Sequence, residues 1–349
     1  MNDLFLIIPE KPSFMLEKMI QAVIQDRDPV IINDENHVSS LRQGKIIFAL
    51  EVNNIGFSNN LSNIFSKLYS MGNSSLFGFQ GIVLTHSNTE LYTRSAAQNI
   101  IFHGNQLGLR FIGRPLVEAT GNLENFIPMK SIYNDSLENI CLNSCYELGQ
   151  RFFKDNISPI KNPKILIIYS SNWRTSNSLL LWNMVKRNLN SCKIREIHIG
   201  NGTIYDCKGC PYKTCKHYGQ QVSCFYGGII VKEVYPALLQ SNAVVFICPN
   251  YNDSVSANIM AVINRLTALF RRTKFYDKTL FSIIVSGYSG SDIVAKQIIS
   301  SLNLNKTFRL PPYFSLMATA NNKDSIKDVP NIEEKAKCFA ENIMREIKK

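Results

Sequence analysis

Four cysteines crowd one short segment of this 349-residue chain: Cys207, Cys210, Cys215 and Cys224, with two, four and eight residues between them. Thiolates at such spacing have the chemistry to hold a 4Fe–4S cluster or a tetrahedral zinc ion, or to remain as redox-labile free thiols. The total of nine is odd, and a cluster of this kind in a reducing compartment suggests metal or redox work before disulfides. A second constellation is Ser170-Ser171-Asn172-Trp173-Arg174-Thr175-Ser176-Asn177-Ser178, which follows the apolar run Lys164–Tyr169 and precedes a helical pattern. A helix N-terminus behind such a loop offers unpaired N–H groups and a favourable dipole to a phosphate, and Arg174 adds a full charge. The same serines also suit a plain N-cap, so both roles stay open on composition alone.

Two further loops follow apolar runs in the same way. Pro249-Asn250-Tyr251-Asn252-Asp253-Ser254 comes after AVVFIC, and Tyr251 offers a flat apolar face with a hydroxyl, suited to an aromatic ligand or to packing over a sheet edge. Ser286-Gly287-Tyr288-Ser289-Gly290-Ser291 comes after LFSIIVS, where glycines permit close backbone approach or positive φ. Neither a Walker A sequence nor the dinucleotide glycine fingerprint occurs.

The elements that must position these loops alternate between strand-like and helical patterns, the mark of a parallel sheet covered by helices. Strands are expected at Lys164–Tyr169, Ile194–Ile199, Ala243–Cys248 and Leu280–Ser286, and helices at Ser178–Leu189, Val231–Gln240, Ser256–Phe270, Asp292–Leu302 and Ile332–Ile347. The N-terminal half repeats part of this plan. Ile46–Leu68 aligns without a gap on Val244–Leu266, with Phe48/Phe246, Asn54/Asn252, Ser58/Ser256, Asn60/Asn258 and Leu68/Leu266 identical. Downstream, Gly81–Thr85 mirrors Ser282–Ser286. A duplicated α/β domain is therefore expected: residues 1–133, a linker helix and loop over 134–162, and a second domain over 163–349. In the first copy two prolines and Glu10 replace the phosphate loop, Glu51 stands at the position of Pro249, and a carboxylate beside a phosphate would repel it.

Composition narrows the class. A hydrophobic fraction of 45% and a charged fraction of 19% belong to an ordinary globular chain, and no apolar run is long enough to span a membrane. The N-terminus MNDLFLIIPEKPS has no basic region ahead of its apolar residues, so a signal peptide is not expected and a cytoplasmic location is. The net charge of +11 comes from scattered lysines and arginines without a nucleic-acid motif; it suits phosphorylated small molecules, and neither nucleic acid nor membrane is expected as a partner.

The loop Ser170–Ser178 resembles the GSxRxxSNT phosphate loop of the NADPH-dependent FMN reductase group. Ser176-Asn177-Ser178 stands where that motif has SNT and Ser171 at its early serine, while its arginine falls on Trp173 with Arg174 one place later. The segment from Pro249 to Leu266 is similar to the group's SPVYxxSVxxxLKxFIDR stretch, which wraps the flavin ring and packs a helix at a dimer interface. Pro249, Tyr251, Ser254 and Arg265 match; Cys248, Met260 and Asn264 depart. Ser286–Ser291 is similar to the group's ring-edge loop, and the cysteines lie where the related iron–sulfur flavoproteins carry a C-x-G-C-x-x-C cluster with a tighter second gap. The resemblance covers about Lys164–Leu316. It implies two flavodoxin-like doubly wound parallel-sheet domains in tandem, sheet order 2-1-3-4-5, the first degenerate. It implies FMN held by Ser170, Ser171, Arg174, Ser176, Asn177, Ser178, Pro249, Asn250, Tyr251, Asn252, Ser286, Gly287, Tyr288 and Gly290, with Cys207, Cys210, Cys215 and Cys224 as ligands of a 4Fe–4S cluster or as thiols. The implied activity is an oxidoreductase passing electrons from NAD(P)H through FMN to a flavin, quinone or other small-molecule or protein acceptor, in a homodimer. The alternative is a non-enzymatic electron carrier.

Overall fold

The computed structural model describes residues 3–156, 160–172, 175–200 and 204–348. The chain divides into two compact units, Met1–Ile157 and Ser158–Lys349. The first is built from β1 (Asp3–Ile7), α1 (Phe14–Ile24), β2 (Val30–Ile32), β3 (Gly44–Glu51), α2 (Asn59–Ser70), β4 (Gln80–Ser87), α3 (Thr93–Gln106), β5 (Arg110–Thr120), α4 (Ile127–Tyr133) and α5 (Leu137–Lys154). The second contains β6 (Lys164–Tyr169), α6 (Asn177–Lys186), β7 (Lys193–His198), α7 (Tyr212–Gln220), α8 (Tyr235–Gln240), β8 (Ala243–Pro249), α9 (Ala257–Phe270), β9 (Thr279–Ser286), α10 (Ser291–Ile298), β10 (Ser315–Thr319) and α11 (Ile332–Ile347).

Each unit has one five-stranded parallel sheet, in the order β2-β1-β3-β4-β5 and, read from its outer edge, β7-β6-β8-β9-β10. Both are the 2-1-3-4-5 order of the flavodoxin-like fold, so each has its switch point between its first and third strands. The central strands are apolar on both faces, as a sheet covered on both sides requires: every residue of β8 and of β9 is buried. In the second unit Trp182, Val185, Phe339 and Ile343, from α6 and α11, close one face over Ile165, Val245 and Ile283. Each such buried side chain contributes about 1.5–3 kcal/mol of transfer free energy.

In two places the structure departs from the sequence expectation. Helix α5, set aside above as a linker, belongs to the first unit's core, because Ile140, Cys141, Cys145, Leu148 and Phe152 recur at helical spacing and are buried with Leu16, Met19 and Val23 of α1. The register of the repeat also shifts by two residues after β3. Ile46 pairs with Gly81 and its counterpart Val244 with Leu280, so Gly81 corresponds to Leu280, not to Ser282. On the same pairing His86 corresponds to Val285, since Glu51 pairs with His86 and Pro249 with Val285. A two-residue slip keeps each side chain on its own face of the sheet, so the apolar pattern cannot detect it.

Candidate functional site

Three chain segments meet at the carboxyl ends of β6, β8 and β9. They line one cavity of ≈ 540 Å³, with Ser176 and Ser178 on one side, Pro249, Asn250 and Tyr251 on another, and Gly287 and Tyr288 on a third. That volume lies within the roughly 300–1,000 Å³ of small-molecule sites. Asn177 and Asn252 also line it, while Ser170, Ser171, Ser286 and Gly290 are not among its lining residues. Arg174 lies outside the described residues.

The first segment begins a helix. Ser176 caps α6, its Oγ accepting from Leu179 N–H at 3.2 Å, so the N–H groups of Asn177 and Ser178, which have no partner within the helix, border the cavity. Ser170 and Ser256 share a hydroxyl contact of 2.7 Å that ties this segment to the start of α9. Ser171 is 4% exposed, and its Oγ has no hydrogen-bond partner among the described residues. A buried hydroxyl left unpaired is costly, which marks this loop as built for a further acceptor or donor. The Asn177 side chain is committed elsewhere: its Nδ2 donates to Ala320 O at 3.1 Å and Asn322 O at 2.7 Å, latching the loop after β10 to α6.

The second and third segments are joined through Asn250. Its Nδ2 reaches Ser286 Oγ at 3.0 Å, Ser289 O at 2.9 Å and Asp253 Oδ1 at 3.2 Å, which leaves Oδ1 buried without a partner. Ser286 Oγ in turn meets Ser291 Oγ at 2.6 Å. Gly290 has φ +83°, and a Cβ there would lie 2.0 Å from Asp253 Oδ1, so only glycine lets the two loops close together. Gly287 allows a similar approach, since its Cβ would sit 2.9 Å from Asn321 Oδ1. Tyr251 is 58% exposed and Tyr288 83%, so two aromatic faces stand open beside the cavity. Cys248, the last residue before Pro249, is wholly enclosed; burial pushes its thiol up to about 12 against a smaller lowering by Ser282, so it is neutral and no nucleophile.

Thr175, Asp253 and Ser289, from the three quoted loops, line the cavity as well, and two lining residues lie outside those loops: Ala320 and Asn321. The last two follow β10, a five-residue strand whose alternating burial gives little signal, although Asn321-Asn322 after SLMAT is a turn-type pair that would have pointed there.

The four clustered cysteines follow β7 and line a separate cavity of ≈ 180 Å³ with Tyr218 and Phe225. Among the described residues no three Cys, His, Asp or Glu side chains are placed to hold a metal ion. Cys215 is carried on helix α7, and Cys210 and Cys224 flank that helix. The same insertion covers α9. Arg265, expected on a dimer-facing helix, is 2% exposed and donates to Tyr205 O at 3.3 Å and Gly227 O at 2.6 Å.

A parallel sheet of this order, with a capped helix N-terminus and two aromatic-bearing loops at its switch point, defines a flavodoxin-like domain with a mononucleotide crevice. The donors fit FMN: free N–H groups and hydroxyls at one end for a phosphate, an unpaired amide oxygen and open tyrosines at the other for a ring. Residues 163–322, a little under half of the chain, match the NADPH-dependent FMN reductase family, a family of oxidoreductases. No curated protein matches the chain. Among solved structures, an NAD(P)H:quinone oxidoreductase from Methanothermobacter marburgensis is 12% identical, over 52% of this chain and 99% of its own, with a TM-score of 0.40. An azoreductase from Bacillus anthracis is 12% identical, over 52% of this chain and 97% of its own, with a TM-score of 0.39. Among the described residues, no helix is long and apolar enough to cross a membrane.

Proposed function

We propose that the second unit binds FMN in the 540 Å³ cavity and passes electrons from NAD(P)H to a small acceptor such as a quinone or a free flavin. The observation that carries this is the joint lining of one cavity by the α6 N-terminus and by the loops after β8 and β9. The N–H groups of Asn177 and Ser178, with the Ser171 and Ser176 hydroxyls and Arg174, hold the phosphate. Asn250 and Asp253 supply an acceptor-rich edge for the N–H of a ring, and Tyr251 and Tyr288 flank its face. When bound, FMN supplies the hydride and electron chemistry, while the protein binds, orients and sets the local charge. No side-chain acid or base is assigned. The four cysteines enter as free thiols, without a cluster. The net charge of +11 draws in a phosphate-rich dinucleotide.

Both substrates approach the one open face beside Tyr251 and Tyr288, so ping-pong kinetics are expected. Anaerobic stopped-flow mixing of the FMN-loaded chain with NADH and with NADPH tests this. Bleaching of the flavin band before any acceptor is added supports the reductase. If neither nucleotide bleaches it while a low-potential protein donor does, the domain is an electron carrier.

A further inference from the structure

The cavity of the second unit has a neighbour. Ala320 and Asn321 line it and also line a second cavity of ≈ 650 Å³, so the loop after β10 is a partition with a chamber on each side. Two contacts fix that partition. Asn177, whose N–H borders the first chamber where the phosphate is assigned, donates through Nδ2 to Ala320 O at 3.1 Å and Asn322 O at 2.7 Å. On its other flank Asn321 lies against Gly287, where a Cβ would sit 2.9 Å from Asn321 Oδ1. The second chamber therefore opens beside the N-terminus of α6, on the side where a nucleotide continues past its first phosphate. Its volume is that of a small-molecule site in its own right, and a mononucleotide in the first chamber leaves it unfilled.

The walls of this second chamber have the chemistry of a nucleoside site. One wall is β10, the outermost strand of its sheet. Phe314 O accepts from Ser282 N–H and Ala320 N–H donates to Ser286 O, both at 2.9 Å, so the even-numbered residues pair with β9. By the alternation of a strand, Met317 and Thr319 turn their N–H and C=O groups to the free edge, and both residues line the chamber. Adenine carries an amino donor beside ring-nitrogen acceptors, which complements such an edge. Val329 and Pro330 add apolar surface for the flat of a base. The two charged groups of the lining are Asp328 and Lys335, both exposed, the latter in the first turn of α11. An ammonium suits a phosphate, and a carboxylate suits the hydroxyls of a ribose.

We infer that this chamber takes the adenosine half of a dinucleotide whose flavin half occupies the first, so that the chain binds FAD in preference to FMN. The inference rests on the flavin reading of the first cavity and adds an AMP to it. Lys335 holds the added phosphate, Asp328 the ribose, and the edge of β10 the base.

The test titrates FAD into the FMN-loaded full chain and follows the fluorescence of released FMN, with the Kd of FMN measured separately by quenching. One FAD should replace one FMN per chain, and FAD should bind at least about tenfold more tightly. Lys335→Gln should weaken FAD by about tenfold and leave the Kd of FMN unchanged. Thr319→Tyr keeps a strand-favouring residue at an exposed position while filling the chamber, and it should remove the preference for FAD in the same way. Equal Kd values for the two flavins, or a full preference for FAD in both variants, would overturn the proposal. So would variants that weaken NADPH and leave FAD unchanged, since the chamber would then serve the nicotinamide dinucleotide. A parent chain that binds FMN but gains nothing from FAD sinks this proposal alone, whereas one that binds neither flavin sinks the FMN reading with it.

Discussion

Replacing Ser171 by alanine separates a phosphate loop from a plain helix cap. Ser171 Oγ is buried and unpaired among the described residues, and such a hydroxyl costs the unliganded protein about 1–3 kcal/mol. Ser171→Ala removes that cost along with the oxygen, so the FMN-free chain should melt at an unchanged or slightly higher temperature. The bound state should behave in the opposite way. A hydroxyl donating to a phosphate is a charge-assisted bond worth about 1.5–3 kcal/mol, or roughly ten- to hundredfold in Kd. Ser176→Ala is the contrast, because its Oγ already accepts from Leu179 N–H; loss of that cap should cost the FMN-free chain about 1 kcal/mol of stability, in addition to weakening FMN. Calorimetric melting of both variants, with and without FMN, and fluorescence quenching of titrated FMN separate the two effects. A lower melting point for FMN-free Ser171→Ala together with an unchanged Kd would refute the reasoning, since it would mean that Ser171 has a structural partner and that the phosphate sits elsewhere.

Gly290→Ala should destabilise by about 1–3 kcal/mol and weaken FMN, because φ +83° is strained for alanine and the new Cβ meets Asp253 at 2.0 Å; urea unfolding and FMN titration check both effects. FMN should bind once per chain, as absorbance against protein concentration will show, because Glu10 and Glu51 occupy the corresponding crevice of the first unit; two per chain would contradict that assignment. Anaerobic reconstitution should leave iron well below one per chain, since no three of the cysteines are placed to share an ion, and four irons lost on Cys→Ser substitution would reverse that conclusion.

Much of the fold could be read from the residues because parallel strands buried on both faces are continuous apolar runs. KILIIY, AVVFICP and TLFSIIVS announce themselves, and the loops behind them, rich in Ser, Asn, Gly and Tyr, are the ones that line the cavity. What stayed hidden was whatever depended on partners distant in sequence. Strand β10 is short and half-buried, so the Asn321 loop had no marker. Asn177 looks like a phosphate ligand by type and position, yet its amide is spent on carbonyls about 145 residues away. The cysteine spacing gave no sign of the helix beginning at Tyr212, on which Cys215 is carried.

The duplicated unit shows why a correct repeat can still conceal a local difference. Aligning Glu51 with Pro249 was enough to see that the first copy opposes a phosphate. Recognising what replaces it required His86, and the apparent match of GIVLT to SIIVS pairs that strand two residues out. On that alignment Thr85 stands opposite Ser286 and His86 opposite Gly287, which would put the imidazole in a loop. Strand pairing instead puts His86 opposite Val285, inside the sheet edge and directly beside Glu51. Two apolar cavity walls in one copy have thus become a carboxylate and an imidazole in the other, at identical backbone positions. Buried charge is costly unless paired, so this exchange persists only with the hydrogen bonds among Ser13, Glu51 and His86 that answer it.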